Sequence, residues 1–351
     1  MKRTLSLVIV LLFSWFILPV VTYAQTNEGS FNLVTSPLPI NLKAKPGTSV
    51  SADIRVKNGN AATEKLKVTL MKFNAYGEEG KPGLTDREAG DDYFDWVSFS
   101  PSVFDAPPNE WITVKMTINL PKTAAFGYYY AAIFSRANEA PKPQAKQSIL
   151  IGSTAVLVLL DADVPNAKRA ASIVSFSADK KSYEFLPAAF TVKIKNDGNV
   201  HLVPNGTIFI SRGGKTVAAL SINDAAGNVL PGSNRIFTAS WKDGFPSYVT
   251  KEADGKVVTD KNGNAVQSLK WDMSKLNNLR FGKYTARLLA VYDDGTKDVP
   301  LEATVSFWVI PWRIIGGFLI IAALVITGLW SNLKKLYARI RKLKGKHEKT
   351  S

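Results

Sequence analysis

The sequence predicts an all-β protein with two tandem Ig-like β-sandwich domains, preceded by a signal peptide and followed by one transmembrane helix. A hexapeptide of the form Phe-Gly-x-Tyr-x-Ala occurs at residues 126–131 and again at 281–286. Each copy follows, at some distance, an alternating segment that ends in Lys-Asn and a Gly-Asn turn, at residues 54–60 and 190–199. Short alternating segments, frequent turns and little helical periodicity are typical of sandwiches. Together these repeats indicate a duplicated domain.

Residues 1–24 are predicted to be a secretory signal. Lys2 and Arg3 precede an apolar run that extends to Val21, and Thr22-Tyr23-Ala24 forms a small-x-small cleavage site. We expect cleavage after Ala24. The alternative is an uncleaved signal anchor, because the apolar run is about as long as a short membrane span.

Residues 25–165 are predicted to form the first sandwich. Residues 112–120 show the cleanest alternation of apolar and polar side chains in the chain, which indicates a half-buried strand. Residues 76–92 are predicted to be a long polar loop, after which residues 94–97 resume strand character. The continuous apolar run at 149–160 indicates a buried closing strand, and we expect the domain boundary at residues 161–165.

Residues 166–307 are predicted to form the second sandwich, with the same features in the same order. The second copy is longer, and the extra length is placed in a polar hairpin loop or insertion at residues 245–265. Only residues 271–279 are expected to form a brief helical turn.

Residues 308–330 are predicted to cross a membrane. Their only charge is Arg313, near the outer end, and tryptophans flank both ends as an aromatic belt. Twenty-three residues of helix are about 34 Å long, which is enough for the hydrocarbon core. Since everything before this segment is β, a buried soluble helix is a poor alternative.

Residues 331–351 carry eight basic side chains against one acidic residue, Glu348, and this bias places them in the cytoplasm. Much of the formal net charge of +15 therefore lies in this tail. A nucleic-acid-binding protein would carry its basic residues on the folded part instead, so we expect no nucleic-acid partner. The tail could also continue as an amphipathic helix on anionic lipid, but membrane topology is the simpler explanation.

The sequence contains few residues or motifs that could support catalysis, and we predict that the protein is not an enzyme. The chain has no Cys and two His, His201 and His347, the second of which lies in the tail. No nucleophile elbow, zinc-binding His-Glu-x-x-His or phosphate loop is present. His201 is interpreted as structural, and no cofactor is expected. Absence of Cys in an exported chain also favours a bacterial source.

Residues 260–264 are a candidate metal site, because Asp260, Asn262 and Asn264 place side-chain oxygens at alternate positions, as in the start of a calcium loop. The distal Glu of such a loop is missing, and Asn-Gly is by itself a hairpin turn. We therefore interpret the segment as a turn and predict no metal site. Asp91-Asp92 and Asp293-Asp294 are likewise interpreted as solvated turns.

Exposed aromatic residues could bind a glycan or a partner. Tyr128, Tyr129 and Tyr130 are consecutive, so Tyr129 must face opposite to its neighbours in a strand. The favoured interpretation makes Tyr130 a tyrosine corner, with the other two packed on core or edge. If a binding surface exists, we expect it where the copies differ, at residues 128–130 or 245–265. Core or inter-domain packing is expected for Trp96, Trp111, Trp241 and Trp271.

Several short segments carry a family resemblance: residues 45–58, 120–121 and 126–133 of the first half, and 196–201, 204–206 and 230–233 of the second. In these segments the chain resembles the bacterial WxL-interacting proteins of the cell surface. Members have a signal peptide, two Ig-like domains, one C-terminal membrane helix and a short basic tail, a layout that covers residues 27–345 here. The polar loop at 245–265 and the N-terminal segment depart from the family. The resemblance supplies no catalytic or ligand motif to transfer to this sequence.

That resemblance implies binding to peptidoglycan and to partner proteins of the envelope. We therefore expect a non-enzymatic, single-pass membrane protein whose extracellular part binds envelope protein, peptidoglycan-type polymer, or both. No Leu-Pro-x-Thr-Gly precedes the helix, so we expect the protein to stay in the plasma membrane. One alternative is a membrane-tethered assembly chaperone that lends a strand edge to exported subunits. Another is an accessory subunit of a transport or secretion complex.

Overall fold

The computed structural model describes residues 32–139 and 153–347, with side chains described as far as residue 337. The predicted signal segment, residues 1–24, lies outside the described residues, as do residues 149–152 of the predicted closing strand. The described chain is mostly β, with one long helix at its C-terminal end.

Among the residues that the structure describes, the strands of the first half pair with one another and not with the second half. One sheet has the order β1-β3-β8-β6, and the other has the order β2-β10-β9-β4-β5 with β7 also on β4. Apolar side chains from both sheets form one buried core between them, which makes this half a sandwich. Its strands are β1 (Leu33–Ser36), β2 (Ile40–Ala44), β3 (Ser49–Asn58), β4 (Glu64–Tyr76), β5 (Lys81–Thr85), β6 (Val97–Ser100), β7 (Val103–Ala106), β8 (Trp111–Asn119), β9 (Gly127–Arg136) and β10 (Ser153–Ala162).

The second half repeats this architecture around a core of its own. Its sheets have the orders β11-β13-β16 and β12-β22-β21-β14-β15, and two small hairpins pair β17 with β20 and β18 with β19. Its strands are β11 (Ala171–Ala178), β12 (Ser182–Tyr183), β13 (Ala188–Asn196), β14 (Asn205–Arg212), β15 (Lys215–Ile222), β16 (Asn234–Trp241), β17 (Ser247–Thr250), β18 (Glu252–Ala253), β19 (Lys256–Val257), β20 (Gln267–Lys270), β21 (Gly282–Asp293) and β22 (Asp298–Val309).

The first strand of each half changes sheets in the same way. β1 pairs antiparallel with β3, and the chain then crosses to the other sheet, where β2 runs parallel to β10. In the second half β11 pairs antiparallel with β13, and β12 then runs parallel to β22. The same crossing in both halves supports a duplication, while the domain bounds 25–165 and 166–307 stay a prediction.

The repeated Lys-Asn turn is the same structure in both halves. Asn58 and Asn196 are fully buried at the ends of β3 and β13. Each Nδ2 donates to the carbonyl four residues on and to a second, distant carbonyl, at 2.7–2.9 Å. Each Oδ1 accepts from the backbone N–H two residues on. This side chain therefore replaces backbone pairing where the strand ends.

The repeated hexapeptide, in contrast, is one residue out of register between the halves. Tyr129 and Tyr284 hold the same place in it, yet Tyr284 lies in the second core while Tyr130 takes that role in the first. Tyr129 points to the opposite face of β9. The backbone turn with positive φ falls at Phe126 in one copy and at Gly282 in the other. The two segments match in sequence but not residue by residue in structure.

Several predicted boundaries are corrected. The expected loop at 76–92 contains β5, which pairs with β4 as a hairpin, and residues 92–96 form a 3₁₀ helix rather than a strand. Residues 161–162, which the sequence analysis assigns to the boundary segment, are the last two residues of β10. The predicted helical turn at 271–279 is confirmed as a 3₁₀ helix, Met273–Asn278.

The C-terminal helix α1 spans Trp312–His347. Trp308 and Val309, predicted to start the membrane span, instead end β22, where they pair with Lys283 and Gly282. Pro311 has no N–H to continue the strand ladder and directly precedes the helix. Residues Trp312–Tyr337 are long and apolar enough to cross a membrane and are not buried against the described part of the chain.

Candidate binding groove

The sheet containing β9 and β10 is covered on both faces, which explains the apolar runs in those strands. One face packs into the first core, and the other carries a second cluster made of Met71, Phe73, Ala131, Ile133 and Leu159. Leu230 of the second half packs on this cluster. The two halves therefore meet over the outer face of this sheet.

The tip of the β4–β5 hairpin forms one anchor between the halves. The carbonyl of Glu78 accepts from the N–H of Ile236, on the open edge of β16, at 2.7 Å. The Glu78 carboxylate contacts Lys193 Nζ at 2.7 Å and accepts from Asn234 Nδ2 at 3.2 Å. The lysine holds the pKa of this carboxyl below its usual range.

A second anchor lies where the chain leaves β10. Asp161, the second-last residue of β10, pairs with Arg169, and both side chains are mostly buried. Beside them the rings of Tyr129 and His201 meet edge to face, with centroids 5.8 Å apart. Burial lowers the pKa of His201, and Arg169 lowers it further, while Asp161 opposes this. His201 is thus a neutral, packed side chain of the junction.

Between these anchors lies a groove of about 410 Å³. Its floor is the outer face of the first sandwich, with Phe73, Leu157 and Leu159, and its opposite wall is the segment before and at the start of β16. A concave, mainly apolar site of this size is typical of ligand-binding sites.

Arg235 supplies the groove with a positive charge. Its Nη1 donates to the carbonyl of Asn228 at 2.7 Å, and its guanidinium lies 5.5 Å from the ring centre of Phe237. No carboxylate pairs with it among the described residues, and burial lowers its pKa. Any side chain at Gly80 or Gly227 would collide with this guanidinium, so both glycines are needed for its position.

Two further polar residues, Asn228 and Asn234, line the groove beside Asn74, Lys81 and Ser233. Oδ1 of Asn228 and Oδ1 of Asn234 are buried with no hydrogen-bond partner within the described chain. Buried polar atoms are nearly always paired in native proteins. Arg235 can bind a carboxylate with two parallel hydrogen bonds, whereas the two amide oxygens are buried and do not open into the groove. Together with the apolar floor, this guanidinium suits a ligand that is apolar and acidic.

The strand edge beside the groove is open. β2 pairs with β10 only from Val158 to Ala162. Within residues 32–139 and 153–347, nothing pairs with residues 153–157 on the side of β10 away from β9. Ala155 and Leu157 of this stretch line the groove. An extended chain could therefore add to this edge as a strand.

The residues singled out from the sequence lie elsewhere or have structural roles. Asp260 Oδ1 accepts from the N–H groups of Asn262 and Asn264, at 2.8 and 2.9 Å, which makes this segment a hairpin turn. No cluster of three potential metal-ligating side chains occurs among the described residues. None of residues 245–265 lines the groove.

The three consecutive tyrosines divide as the strand geometry predicts, with one correction. Tyr129 faces the second half, whereas Tyr130 is buried in the first core and donates to the carbonyl of Tyr93 at 3.1 Å. The local bond of a tyrosine corner is made by Tyr128, whose hydroxyl accepts from the N–H of Ala125 at 2.9 Å. Burial raises the pKa of both Tyr129 and Tyr130.

The tryptophan predictions are half right. Trp241 is buried in the second core, and Trp96 packs against the first. Trp111 and Trp271 are exposed, contrary to expectation. Trp111 instead lies beneath the cationic groups of Arg55 and Lys57.

Sequence reasoning missed Arg235, although a signal for it exists. In β16 it has the same parity as Phe237 and Trp241, which both face the core. A basic residue at an inward position of an alternating strand breaks the pattern and indicates a special environment.

No protein-family model matches the chain, and no curated protein matches it at a significant level. Among solved structures, it resembles the CsuC–CsuE chaperone–tip adhesion subunit pre-assembly complex of Acinetobacter baumannii, with 13% identity and a TM-score of 0.35 over 77% of this chain and 97% of that one. The class 5 fimbriae chaperone CfaA has 15% identity and a TM-score of 0.35, over 80% and 100% of the two chains. The E. coli chaperone DraB has 10% identity and a TM-score of 0.31, over 78% and 98%. Likenesses at this level do not establish what the chain binds.

Proposed function

We propose that the protein is a membrane-anchored cell-surface protein whose tandem Ig-like ectodomain binds an extended segment of an envelope protein in the groove, with no chemistry of its own. The observation that carries this proposal is a mainly apolar groove of about 410 Å³ whose one guanidinium has no acidic partner among the described residues. It agrees with the binding role that the resemblance to WxL-interacting proteins implies.

The chemistry of the groove favours a peptide over a polysaccharide. Its floor carries Phe73, Leu157 and Leu159, which suit apolar side chains. Arg235 suits an acidic side chain or the C-terminal carboxylate of a peptide. A glycan strand, in contrast, is usually bound by exposed aromatic faces and many hydroxyl partners. Peptidoglycan therefore stays as a second ligand class for the test.

The membrane anchor in this proposal is α1. Its apolar part, Trp312–Tyr337, is 26 residues long, about 39 Å of helix. The basic residues that follow favour a cytoplasmic C-terminus, which leaves both sandwiches outside the cell.

Capture experiments with full-length protein in detergent test the groove. The wild type is compared with Arg235→Gln, Ala155→Trp, which fills the groove, and Arg287→Gln. Arg287 is an exposed arginine that pairs with Glu302 on the second sandwich and serves as the matched control. The ligands are envelope extract, acidic-apolar peptides and purified peptidoglycan.

We expect Arg235→Gln to weaken peptide binding by about ten- to a hundredfold, since hydrogen bonds to charged groups contribute about 1.5–3 kcal/mol. Ala155→Trp should abolish binding, and Arg287→Gln should bind as the wild type does. Equal binding by all four proteins, or capture of peptidoglycan alone, would contradict the proposal.

A second candidate function is that of a membrane-tethered assembly chaperone, and the open edge of β10 at residues 153–157 favours it. Such a chaperone would bind clients by strand addition, which depends on main-chain hydrogen bonds. Peptides N-methylated at alternate positions separate the two functions. Strand addition fails when the N–H groups that face β10 are methylated, whereas recognition of side chains in the groove tolerates some of these changes. Stable co-purification with a transporter or secretion complex would instead favour an accessory subunit.

A further inference from the structure

Five large apolar side chains are exposed within one short stretch of the second sandwich, between β20 and β21. We call them the membrane-proximal patch: Trp271, Met273, Leu276, Leu279 and Phe281, which are 55%, 66%, 52%, 41% and 48% exposed. Isolated exposed apolar residues are normal, but several in one segment usually mark an interaction site.

The patch lies at the end of the sandwich from which α1 emerges. Phe281 directly precedes Gly282, which pairs with Val309 at the end of β22. Trp312 starts α1 three residues after Val309, a distance of at most about 10 Å in extended chain. Trp271 and Leu279 are both held by Phe245, through a ring contact at 5.7 Å and a β-bridge. The whole stretch is therefore fixed beside the start of the helix.

The start of α1 is itself tied to this end of the sandwich. Arg313 Nε lies 3.2 Å from Glu184 Oε1, and Tyr248 donates to the other oxygen of Glu184 at 3.1 Å. The N–H of Ile310 donates to the carbonyl of Tyr183 at 2.7 Å. These contacts limit how far the helix can swing away from the patch.

Exposed apolar side chains continue from the patch to the helix. Trp308, Ile310 and Trp312 are 47%, 37% and 59% exposed. Lys270, the last residue of β20, and Lys275, in the 3₁₀ helix, are sequence neighbours of these apolar residues. Tryptophan, leucine and phenylalanine beside lysine are the composition of segments that lie in the membrane interface, and lysine there attracts anionic headgroups.

We propose that the membrane-proximal patch inserts into the interface of the same bilayer that α1 crosses, giving the ectodomain a second contact with lipid. The inference rests on the proposed membrane anchoring. The argument for lipid as the occupant is continuity: the patch adjoins the apolar surface of the helix. This contact holds the second sandwich against the membrane instead of leaving it free to tilt on a flexible stalk.

The test uses full-length protein reconstituted into vesicles of phosphatidylcholine and phosphatidylglycerol. Because the chain has no Cys, single substitutions allow site-specific labelling with an environment-sensitive fluorophore. Met273→Cys reports on the patch and Leu319→Cys on the helix. Lys297→Cys lies in the turn between β21 and β22, at the far end of strands about 37 Å long. Lipids with a nitroxide near the headgroup serve as quencher.

We expect the Met273 probe to lose fluorescence in vesicles with quencher lipid, while the Lys297 probe keeps its emission. If the Met273 probe is no more quenched than the Lys297 probe while the Leu319 probe is quenched, the patch proposal is overturned and the membrane anchor remains supported. A blue-shifted but unquenched Met273 probe would show that protein, such as a second copy, covers the patch. If Leu319 is also unquenched, the anchor fails, and the patch proposal fails with it.

Discussion

At the scale of single residues, Asn58 and Asn196 are the clearest trace of duplication. Each replaces backbone pairing at the end of a long strand with three hydrogen bonds from one buried side chain. No other amino acid offers two donors and an acceptor at this length. The pattern therefore explains why the Lys-Asn turn is retained in both halves while most other residues differ.

Replacing either asparagine by alanine should destabilise its sandwich by about 2–4 kcal/mol, since three bonds are lost and two carbonyls lose a donor. The expected readout is a fall of about 5–10 °C in the thermal unfolding midpoint of the detergent-solubilised protein. Asn277→Ala, at an exposed position in the 3₁₀ helix, is the matched control. If Asn58→Ala and Asn196→Ala both unfold at the wild-type temperature, the proposed role of these asparagines in stability is refuted.

His201 makes the junction between the halves sensitive to acid. Burial lowers its pKa in the folded protein below the ordinary 6.5. As the pH falls through 6.5, the unfolded chain takes up a proton that the folded chain does not, so stability falls with pH. The contribution of His201 to stability is therefore expected to be fully present above about pH 7 and to be lost progressively below 6.5.

Thermal unfolding at pH 7.5, 6.5 and 5.5 should show this loss in the wild type and a smaller one in His201→Gln. Paired carboxylates contribute only at lower pH, because their pKa values are held below the usual range. Parallel curves for the two proteins would mean that His201 does not couple to folding.

At the scale of elements, the β4–β5 hairpin joins the first sandwich to the open edge of β16. The N–H of Ile236 donates to the Glu78 carbonyl, and the contacts of the Glu78 carboxylate with Lys193 and Asn234 hold this carbonyl in place. Glu78→Ala should therefore speed hydrogen exchange at the Ile236 N–H several-fold. Glu79→Ala, at the neighbouring position of the same tip, should not. Equal exchange in the two variants would show that the carboxylate does not hold the tip.

Strands in which apolar and polar residues strictly alternate could be predicted from the sequence. Elements that depend on contacts with distant parts of the chain could not. Residues 112–120 form β8 almost as expected, because one face meets the core and the other meets water. The β5 hairpin was missed because its polar residues are stabilised by the second sandwich. The repeated hexapeptide matches Tyr129 with Tyr284, but the structural counterpart of Tyr284 is Tyr130, one residue further on. A shift of one residue moves a side chain to the opposite face of a strand.

The groove could not be predicted, because its lining comes from distant parts of the chain. Phe73, Leu157 and Leu230 look like ordinary core positions in the sequence. Only the inward Arg235 departs from its strand pattern. Its significance depends on Gly80, more than 150 positions away in the chain.

At the scale of the whole molecule, anchoring predicts how the protein fractionates. The full chain should stay in the membrane pellet after an alkaline carbonate wash, because Trp312–Tyr337 is apolar and unburied. A chain ending at Val309 should be recovered in the soluble fraction. Recovery of full-length protein in the carbonate supernatant, or in covalent linkage to peptidoglycan, would refute membrane retention.

The parallel pairing of β12 with β22 has a mechanical consequence for a protein held at both ends. Under the proposed anchoring, a load applied to the first sandwich would enter the second sandwich through β11 and leave towards the membrane through β22. Because β12 follows β11 and runs parallel to β22, such a load pulls the two strands in opposite directions along their length. The hydrogen bonds between them, from the N–H of Trp308 to the carbonyl of Lys181 and from the N–H of Ile310 to the carbonyl of Tyr183, are then strained together rather than opened one at a time. This two-residue contact would set the force at which the last strand slides out and the tether lengthens.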